Sequence, residues 1–347
     1  MIEKPALAGL LPKEISRILE KIPDSNIPDY RCRQIFQWIT RGTVGFSEMK
    51  NLPLPLREIL EEKCSLYSSA VSAEFRDRDG TSKIQISLED GCLIEAVTLN
   101  DGKGRKTACI STQAGCAGGC LFCKTGTLGF KRNLTAGEMA EEFLFLKRRD
   151  PEISHIVIMG MGEPLLNLEE LRKTLVFFMD QGLGISKKRI TLSTAGISEG
   201  ILDLADNGPD IRLALSLTSA RQEIREKLMP LAKTNPLSVL KKNLEYYQKK
   251  NKRRITLEAV LLKGINTGEE EADAMAGFTD SLDTVLNLIP WNPWETKNQT
   301  FQPPSAREIN LFISALEKRK IKTTLRMGKG CNIGGACGQL GAVLDNH

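Results

Sequence analysis

Short apolar runs alternate with amphipathic segments over residues 105–327 of this 347-residue chain, and this alternation limits the possible folds more than any other feature. The runs predict strands and the segments between them predict helices. The predicted strands occupy residues 107–112, 153–159, 189–194, 211–217, 255–262, 284–289 and 322–326. Capping boxes mark three helix starts, at Thr135 with Glu138, Asn167 with Glu170 and Ser305 with Glu308. Repeated βα units predict an α/β fold with a full or partial parallel barrel, whose site forms at the carboxyl ends of the strands.

Helical and hairpin segments precede this alternation, and a glycine-rich tail follows it. Helical spacing of apolar residues predicts short helices over 12–22, 29–40 and 55–62. Period-two alternation through Ile86 and a turn at Asp90-Gly91 predict a small β-hairpin. The sequence therefore predicts four regions, namely a helical accessory domain (1–65), a β-hairpin linker (66–104), the barrel (105–327) and the tail (328–347).

Composition argues against a membrane or secreted protein. A chain of this length with 41% hydrophobic residues can bury a large core. No apolar run reaches the roughly 18 residues that a membrane helix needs, and the N-terminus lacks the basic start and apolar stretch of a secretion signal. We therefore expect a globular, cytoplasmic protein that does not associate with a membrane.

The charge is mildly basic, with a formal net charge of +5 and a pI near 8.6. This balance is compatible with nucleic acid but is not specific to it. The cations concentrate in three stretches, namely Lys187, Lys188 and Arg189; Lys241, Lys242, Lys249, Lys250, Lys252, Arg253 and Arg254; and Lys318, Arg319, Lys320 and Lys322. Taken singly, each stretch is more typical of a solvated helix end than of a phosphate contact.

Nine cysteines with only two histidines predict a thiolate site. The cytosol keeps thiols reduced, so cysteines clustered in a cytoplasmic chain indicate metal binding or catalysis rather than a disulfide scaffold. His155 and His347 are too few to build an imidazole site, which favours iron–sulfur or zinc–thiolate chemistry.

Cys116, Cys120 and Cys123 form a C-x3-C-x2-C loop, CAGGCLFC, after the strand predicted at 107–112. Three thiolates can bind three irons of a four-iron cluster and leave the fourth iron open to another molecule. The intervening glycines let the backbone wrap closely around such a cluster. The alternatives are a zinc site completed by Cys109, although zinc sites prefer paired C-x2-C motifs, and buried thiols without a chemical role.

Small polar residues follow several of the predicted strands. The strand at 153–159 runs into Gly160-Met161-Gly162-Glu163-Pro164, a turn that exposes backbone groups and one carboxylate acceptor. Ser193, Ser216 and Asn292 end or follow the strands at 189–194, 211–217 and 284–289. A tight βα turn is the alternative for the first motif, and each polar residue alone would be unremarkable.

These motifs resemble those of a known superfamily and, within it, of one family. The cysteine spacing and the aromatic Phe122 are similar to the radical S-adenosylmethionine enzymes, whose fold is a partial (β/α)6 TIM-like barrel. The segments CISTQAGC (109–116), GMGEPLLN (160–167), LKGIN (262–266) and ACGQL (336–340) resemble the RlmN/Cfr adenosine methyltransferases. The likeness extends over nearly the whole chain, in the same order.

The resemblance implies a radical methylation of an adenine carbon in RNA. An electron-poor adenine carbon cannot attack a sulfonium methyl group directly, so the family uses a cysteine as a methyl carrier. Two S-adenosylmethionine molecules are used in each turnover. One methylates the cysteine, and the other is split by an electron from a [4Fe-4S] cluster to a radical that activates the methyl group. Another thiol then resolves the protein–RNA adduct and forms a transient disulfide.

Carried over to this chain, the resemblance implies a role for each matching residue. Cys116, Cys120 and Cys123 would hold the cluster, Cys337 would carry the methyl group, Cys109 would be the resolving thiol and Glu95 the proton acceptor. The cofactor contacts would be Gly162, Glu163, Ser193, Ser216, Leu217, Thr218 and Asn292. Flanking glycines would make the tail flexible enough to move its thiol.

The implied product is 2-methyladenosine in 23S rRNA, with tRNA as a further substrate. The implied partners are RNA, gripped by the N-terminal helices and basic stretches, and an electron donor such as flavodoxin or ferredoxin; we expect a monomer. Thr218 stands where the family commonly has His, and Cys331 lies in a tail segment that is commonly acidic, so Cys331 is an alternative resolving thiol. The rival functions are C8 methylation of the Cfr type and a noncatalytic zinc-bound RNA-binding protein.

Overall fold

Three helices begin the described part of the chain. The computed structural model describes residues 4–22, 27–180, 182–294 and 301–341. The helices are α1 (Pro12–Leu19), α2 (Asp29–Thr40) and α3 (Leu54–Lys63). Proline in the first turn starts α1 and α3, where its missing N–H costs no hydrogen bond. Buried Ile15, Ile35 and Leu60 join them to the main hydrophobic core.

The predicted hairpin is present, with an additional strand on its outer side. The strands are β1 (Ala70–Arg76), β2 (Ser82–Ser87) and β3 (Leu93–Asn100), and they pair antiparallel. Ile84 and Ile86 of β2 face the core, as their alternation predicts. The antiparallel pairing continues from β3 to the first barrel strand, so the extension and the barrel share one sheet.

The barrel alternates strands and helices, as predicted. Its elements are β4 (Lys106–Ile110), β5 (Gln113–Gly115), α4 (Lys124–Thr127), β6 (Phe130–Asn133), α5 (Ala136–Arg149), β7 (Ile153–Ile158), α6 (Leu168–Met179), β8 (Ile190–Thr194), α7 (Ser198–Asn207), β9 (Arg212–Ser216), α8 (Gln222–Leu228), α9 (Leu237–Asn251), β10 (Ile255–Leu261), α10 (Glu269–Thr279), β11 (Thr284–Pro290), α11 (Ala306–Lys318) and β12 (Thr323–Leu325). The strands are rich in branched apolar residues because helices cover their outer face and the sheet is buried.

The ten-stranded sheet has the order β1-β2-β3-β4-β7-β8-β9-β10-β11-β12. Every pair from β4 to β12 is parallel. Among the described residues β1 and β12 are the two edges of this sheet, so the barrel is open, as a partial barrel requires. The short β12 adds a seventh parallel strand to the six of the expected (β/α)6 barrel. The carboxyl ends of the parallel strands lie at one end of the barrel and their amino ends at the other.

Two local predictions were wrong. The strand predicted over 107–112 ends at Ile110 as β4, because the chain turns there, and the next strand, β5, pairs with β6 in a separate small sheet. Asn167 does not cap α6 with its side chain. Its amide donates to the carbonyls of Thr112 and Leu134 at 2.9 and 2.8 Å, so this residue joins the cysteine loop region to the barrel instead.

No helix in the described ranges combines the length and apolar character needed to cross a lipid bilayer.

Candidate active site

The cysteine loop lies at the carboxyl end of the barrel, between β5 and α4. The Cys116 N–H donates to the Gly129 carbonyl at 2.9 Å, and the Leu121 N–H donates to the Leu228 carbonyl at 3.0 Å. Gly115 has a φ of +77°, and a Cβ there would lie 1.9 Å from the Gly129 oxygen, so only glycine fits. The backbone therefore fixes both ends of the loop around the three thiols.

The donor set fits a cluster better than a single metal ion. The Gly118 N–H lies 3.2 Å from the Cys116 sulfur and donates to it, as backbone amides do in iron–sulfur sites. Within the described residues, no three His, Cys, Asp or Glu side chains are arranged to hold one metal ion. A four-iron cluster does not need that arrangement, because each thiolate binds a different iron.

The three thiols need a positive partner to ionise. Burial raises the pKa of the Cys116 thiol to about 12, and the nearby Cys123 and Glu163 add to this shift. Burial also raises the pKa of Cys120 and of Cys123, with Cys123 and Cys116 adding to the shift at Cys120. Metal binding favours the thiolate, so iron would supply the charge that these buried sulfurs lack.

The turn after β7 packs tightly against the start of the cysteine loop. Gly162 has a φ of +102°, and a Cβ there would lie 2.6 Å from the Gln113 side chain. The Glu163 carboxylate accepts from the Thr194 hydroxyl and the Ala195 N–H, both at 2.7 Å, and its burial raises its pKa. The carboxylate that was expected to bind the cofactor thus also joins the ends of β7 and β8.

The ends of β8 and β9 meet at the expected cofactor site. The hydroxyls of Ser193 and Ser216 lie 3.2 Å apart, and Leu217 is fully buried beside them. Thr218 is buried with a φ of +57°, a conformation that β-branched residues rarely adopt. Its hydroxyl has no hydrogen-bond partner among the described residues. Backbone strain and an unpaired buried hydroxyl therefore coincide at the position where the sequence departs from the family pattern.

Arg225 on α8 is a site residue that sequence reasoning missed. Its guanidinium is fully buried and donates to the Ser216 carbonyl at 2.8 Å and to the carbonyls of Leu217 and Ala195. Burial lowers its pKa to about 10, while the nearby Cys120 and Glu163 oppose that shift. Arg225 therefore holds three backbone carbonyls together at the strand ends, and its positive charge lies near the Cys120 thiol. The sequence shows only that Arg225 lies in a helical segment, and this pattern does not indicate that its side chain is buried.

The tail is docked against the loop. The Lys124 N–H donates to the Gly338 carbonyl at 2.8 Å, and the Thr125 hydroxyl donates to the Leu340 carbonyl at 2.6 Å. The Asn292 amide donates to the Cys337 carbonyl at 3.0 Å, and its oxygen lies 3.5 Å from the Cys331 sulfur. Asn292, expected as a cofactor contact, thus also holds both tail cysteines at the carboxyl end of the barrel.

Glu95 is buried on β3 and is bound by a lysine and by the tail. Lys83, on the neighbouring strand β2, lies 2.7 Å from one Glu95 oxygen, and the Gly341 N–H donates to the other at 2.7 Å. Lys83 also donates to the Gly334 carbonyl at 3.4 Å. Lys83 is therefore a second residue that sequence reasoning missed, because the pairing is visible only once β2, β3 and the tail meet.

One cavity of about 650 Å³ is lined by both thiols to which the resemblance assigns catalytic roles. Cys109 projects into it from β4 and Cys337 from the tail, and Cys123 and Asn292 line its carboxyl end. Burial raises the pKa of Cys109, and the nearby Cys337 adds to that shift. Desolvation by the surrounding protein also raises the pKa of Cys337, although this residue is exposed, and Arg326 opposes the shift. All nine cysteines of the chain are free thiols in the structure.

The basic stretches lie away from the cysteine loop. They precede β8, β10 and β12, so they lie near the amino ends of the strands, whereas the cysteine loop is at the carboxyl ends. Many of their cations are already neutralised, for example Lys187 by Asp210 at 3.2 Å and Arg254 by Asp283 at 2.8 Å. These stretches therefore do not surround the opening beside the cysteine loop.

Known proteins resemble the chain over nearly its full length. Residues 110–276 match the model of the radical SAM superfamily. The chain is 45% identical to a probable dual-specificity RNA methyltransferase RlmN of Treponema denticola, covering 98% of this chain and 96% of the relative. It is 39% identical to the corresponding Thermus thermophilus protein, covering 93% and 92%.

A solved structure agrees in fold as well as in sequence. The crystal structure of a radical SAM methyltransferase from Sphaerobacter thermophilus superposes with a TM-score of 0.91 at 36% identity, covering 97% of this chain and 99% of that one. Identities this high over almost complete chains indicate common descent rather than a shared barrel alone. The chain therefore belongs to the RlmN family of dual-specificity RNA methyltransferases within the radical SAM superfamily.

Proposed function

We propose that this protein methylates C2 of adenosine in 23S rRNA and in tRNA, with Cys337 as the methyl carrier. One observation carries the proposal: Cys109 and Cys337, distant in sequence, line the same cavity beside the cysteine loop. Family membership supports RNA methylation, and the presence of both thiols along one cavity supports a covalent route. A covalent carrier divides one difficult transfer into two easier ones.

The residues present fit the cofactors that such a route needs. When bound, a [4Fe-4S] cluster and two S-adenosylmethionine molecules per turnover supply the methyl group and the one-electron chemistry that activates it. Cys116, Cys120 and Cys123 would hold the cluster. The S-adenosylmethionine contacts would be Gly162, Glu163, Ser193, Ser216, Leu217, Thr218 and Asn292, which follow the strands at the same end of the barrel.

The side chains of the chain itself would handle the methyl group and the proton. The Cys337 sulfur would accept the methyl group as a thiolate, and the nearby Arg326 favours that charge. Glu95 would accept the ring proton, but its oxygens are bound to Lys83 and to the Gly341 N–H. The tail must therefore shift before Glu95 can face a base. Cys109 would then attack the Cys337 sulfur of the adduct; the bond from that sulfur to the transferred carbon breaks, the carbon takes up a proton as the methyl group of the base, and the two sulfurs form a transient disulfide.

The remaining assignments concern partners. The RNA would contact the helical domain (1–65), of which residues 1–3 and 23–26 lie outside the described residues, together with the docked tail (328–347), of which 342–347 lie outside. The β-hairpin region (66–104) would join the helical domain to the barrel (105–327). An electron donor such as flavodoxin or ferredoxin would reduce the cluster, and the enzyme would act as a monomer in the cytoplasm.

Replacing Cys109 by alanine tests this route. The variant should accumulate a covalent protein–RNA adduct through Cys337, because the thiol that resolves it would be missing. Denaturing electrophoresis detects the adduct, and peptide mass spectrometry locates it. Cys331→Ala is the matched control and should turn over without an adduct. If Cys109→Ala methylates RNA normally while Cys331→Ala traps the adduct, Cys331 is the resolving thiol.

Product and metal analysis separate the rival functions. Fragment mass spectrometry of the modified nucleoside should give 2-methyladenosine, whereas 8-methyladenosine would assign the Cfr-type reaction. Anaerobically purified protein should be brown and hold about four irons per chain. Colourless protein with stoichiometric zinc and no 5′-deoxyadenosine release would instead indicate an RNA-binding protein.

A further inference from the structure

The cavity that contains Cys109 and Cys337 also reaches the opposite end of the barrel. At the amino ends of the strands it is lined by Arg105, Lys188, Arg189 and Arg212, with His155 among them. The four cations are exposed to solvent, and His155 is partly buried. We call this opening, defined by these five residues, the amino-terminal mouth. A single passage therefore joins solvent at this mouth to the two thiols.

The wall of the passage includes polar side chains among apolar ones, whereas the interior of such barrels is usually filled by apolar side chains. Bulky branched side chains normally pack a barrel interior. Here Thr107, Thr191, Thr256 and Asn287 line the cavity from four different strands. Glu258 projects among them and keeps one oxygen without a hydrogen-bond partner in the described part of the chain. Water fits such a wall better than apolar packing does, so a small polar molecule can move through it.

The mouth is positively charged. Arg105 is paired with Asp101 at 3.3 Å, but no ion pair forms at Lys188, Arg189 or Arg212 within the described residues. Outside the passage, Lys187 next to this group pairs with Asp210, and Arg254 pairs with Asp283. A cleft with uncompensated charge of one sign concentrates ligands of the opposite sign.

His155 contributes little positive charge to the mouth and no negative charge. Its partial burial lowers its pKa, and Arg105, Arg189 and Arg212 lower it further, against the opposing Asp101. Deeper in the passage, Glu258 lies 3.6 Å from Arg326, so that pair is close to neutral. The potential therefore attracts an anion at the mouth and does not repel it before it reaches the thiols.

We propose that the amino-terminal mouth admits a small anionic thiol that reduces the Cys109–Cys337 disulfide after each turnover. This inference rests on the proposed function, which forms that disulfide. RNA and S-adenosylmethionine would occupy the carboxyl end of the barrel, so a reductant entering from the amino end would not have to wait for product release.

The reduction balances as ordinary thiol–disulfide exchange. A small thiolate attacks one sulfur of the protein disulfide, the S–S bond breaks, and the other protein sulfur leaves as a thiolate. A second small thiolate attacks the mixed disulfide and releases the remaining protein sulfur. The two small thiols lose two electrons and become a disulfide, and the two protein sulfurs gain those electrons and take up two protons.

Charged thiol reagents of equal size test the route without requiring turnover. Cluster-loaded enzyme saturated with S-adenosylmethionine is treated anaerobically with anionic 2-sulfonatoethyl or cationic 2-(trimethylammonium)ethyl methanethiosulfonate. Peptide mass spectrometry gives the labelling rates of Cys109 and Cys337. At low salt the anion should label about tenfold faster than the cation, and added salt should reduce the difference.

Charge reversal at the mouth provides the decisive comparison. Arg189→Glu with Arg212→Glu should invert the preference, and Arg189→Gln with Arg212→Gln should remove it. The matched control is Lys242→Glu with Lys249→Glu, which changes the charge equally on the exposed face of α9 and should behave as the wild type. Equal rates for both reagents in every protein would overturn the route. It would also be overturned if the mouth variants weakened RNA binding without changing labelling, since the cations would then bind phosphates.

A second measurement separates failure of this inference from failure of the proposed function. Enzyme carrying the Cys109–Cys337 disulfide is reduced with 2-mercaptoethanesulfonate or with cationic 2-mercaptoethylamine, and the rates are compared in the same variants. If the disulfide never forms, the resolving role of Cys109 fails, while the labelling experiment still tests the passage. If it forms and both thiols reduce it equally, the resolving role stands and the anionic route fails.

Discussion

The two ends of the barrel differ in the burial and pairing of their charged groups. At the carboxyl end, charged groups are buried and paired with protein atoms: Arg225 with three carbonyls, Glu163 with Thr194 and Ala195, and Lys83 with Glu95. At the amino end, Arg189 and Arg212 are exposed and have no ion-pair partner among the described residues. Radical chemistry needs groups that are fixed before reaction, whereas admitting a small ion needs only charge and water.

The largest effect should come from the cysteine loop. Cys120→Ala leaves two thiolates, which cannot hold the cluster with one open iron, so the variant should lose bound iron and all 5′-deoxyadenosine release. Iron analysis and chromatography of the reaction measure both. Cys92→Ala, in the turn between β2 and β3, is the matched control and should keep the iron. Full activity in Cys120→Ala would show that the reaction does not require this loop.

Breaking the Lys83–Glu95 pair should have the next largest effect. Lys83→Met leaves a buried carboxylate without its cation and removes a contact with the tail, which should cost about 3 kcal/mol of unfolding free energy. Denaturant unfolding measures the stability, limited proteolysis the release of the tail, and single-turnover assays the methyl transfer. Lys83→Arg keeps the charge and should restore much of each property. Unchanged stability and tail protection in Lys83→Met would show that this pair does not hold the tail.

Arg225→Met should weaken S-adenosylmethionine binding by about tenfold, which corresponds to about 1.4 kcal/mol. The carbonyls of Ser216, Leu217 and Ala195 would lose their shared donor, and the strand ends would relax. Equilibrium binding measures the affinity, and the iron content shows whether the cluster is kept. Arg221→Met, at a partly exposed arginine before the same helix, should bind normally. Equal affinity in both variants would assign Arg225 to stability alone.

The smallest effect concerns residues with positive φ at the two ends of the barrel. Thr218→Gly relieves a strained, β-branched residue and should raise the unfolding free energy by about 1 kcal/mol, while weakening cofactor binding. Lys320→Gly, at an unbranched residue just after α11, should gain about 0.5 kcal/mol and leave binding unchanged. Denaturant curves and binding titrations test both. If the two variants showed the same changes in stability and in binding, the backbone strain at Thr218 would have no role in cofactor binding.

Much of the fold was predictable because it depends on local patterns. The alternation of strands and helices predicted the parallel sheet, and α2 has the predicted bounds. Several failures were also local. Asn167 has the residue type of a helix cap, but tertiary hydrogen bonds to Thr112 and Leu134 use its amide instead. The additional strand β1 was also missed, although Val71, Ala73 and Phe75 alternate with polar residues along this exposed edge strand.

The sequence by itself determined the cysteine loop, the glycine turn and the family, because these depend on residue types at fixed short spacing. Only the tertiary structure decided which charges meet. Lys83 pairs with Glu95, and the tail then closes over both through Gly334 and Gly341. Likewise only folding placed Lys188 and Arg189 at the amino-terminal mouth while the neighbouring Lys187 pairs with Asp210. A charge is stabilised by its neighbours in space, and the sequence does not list those neighbours for residues that are far apart along the chain.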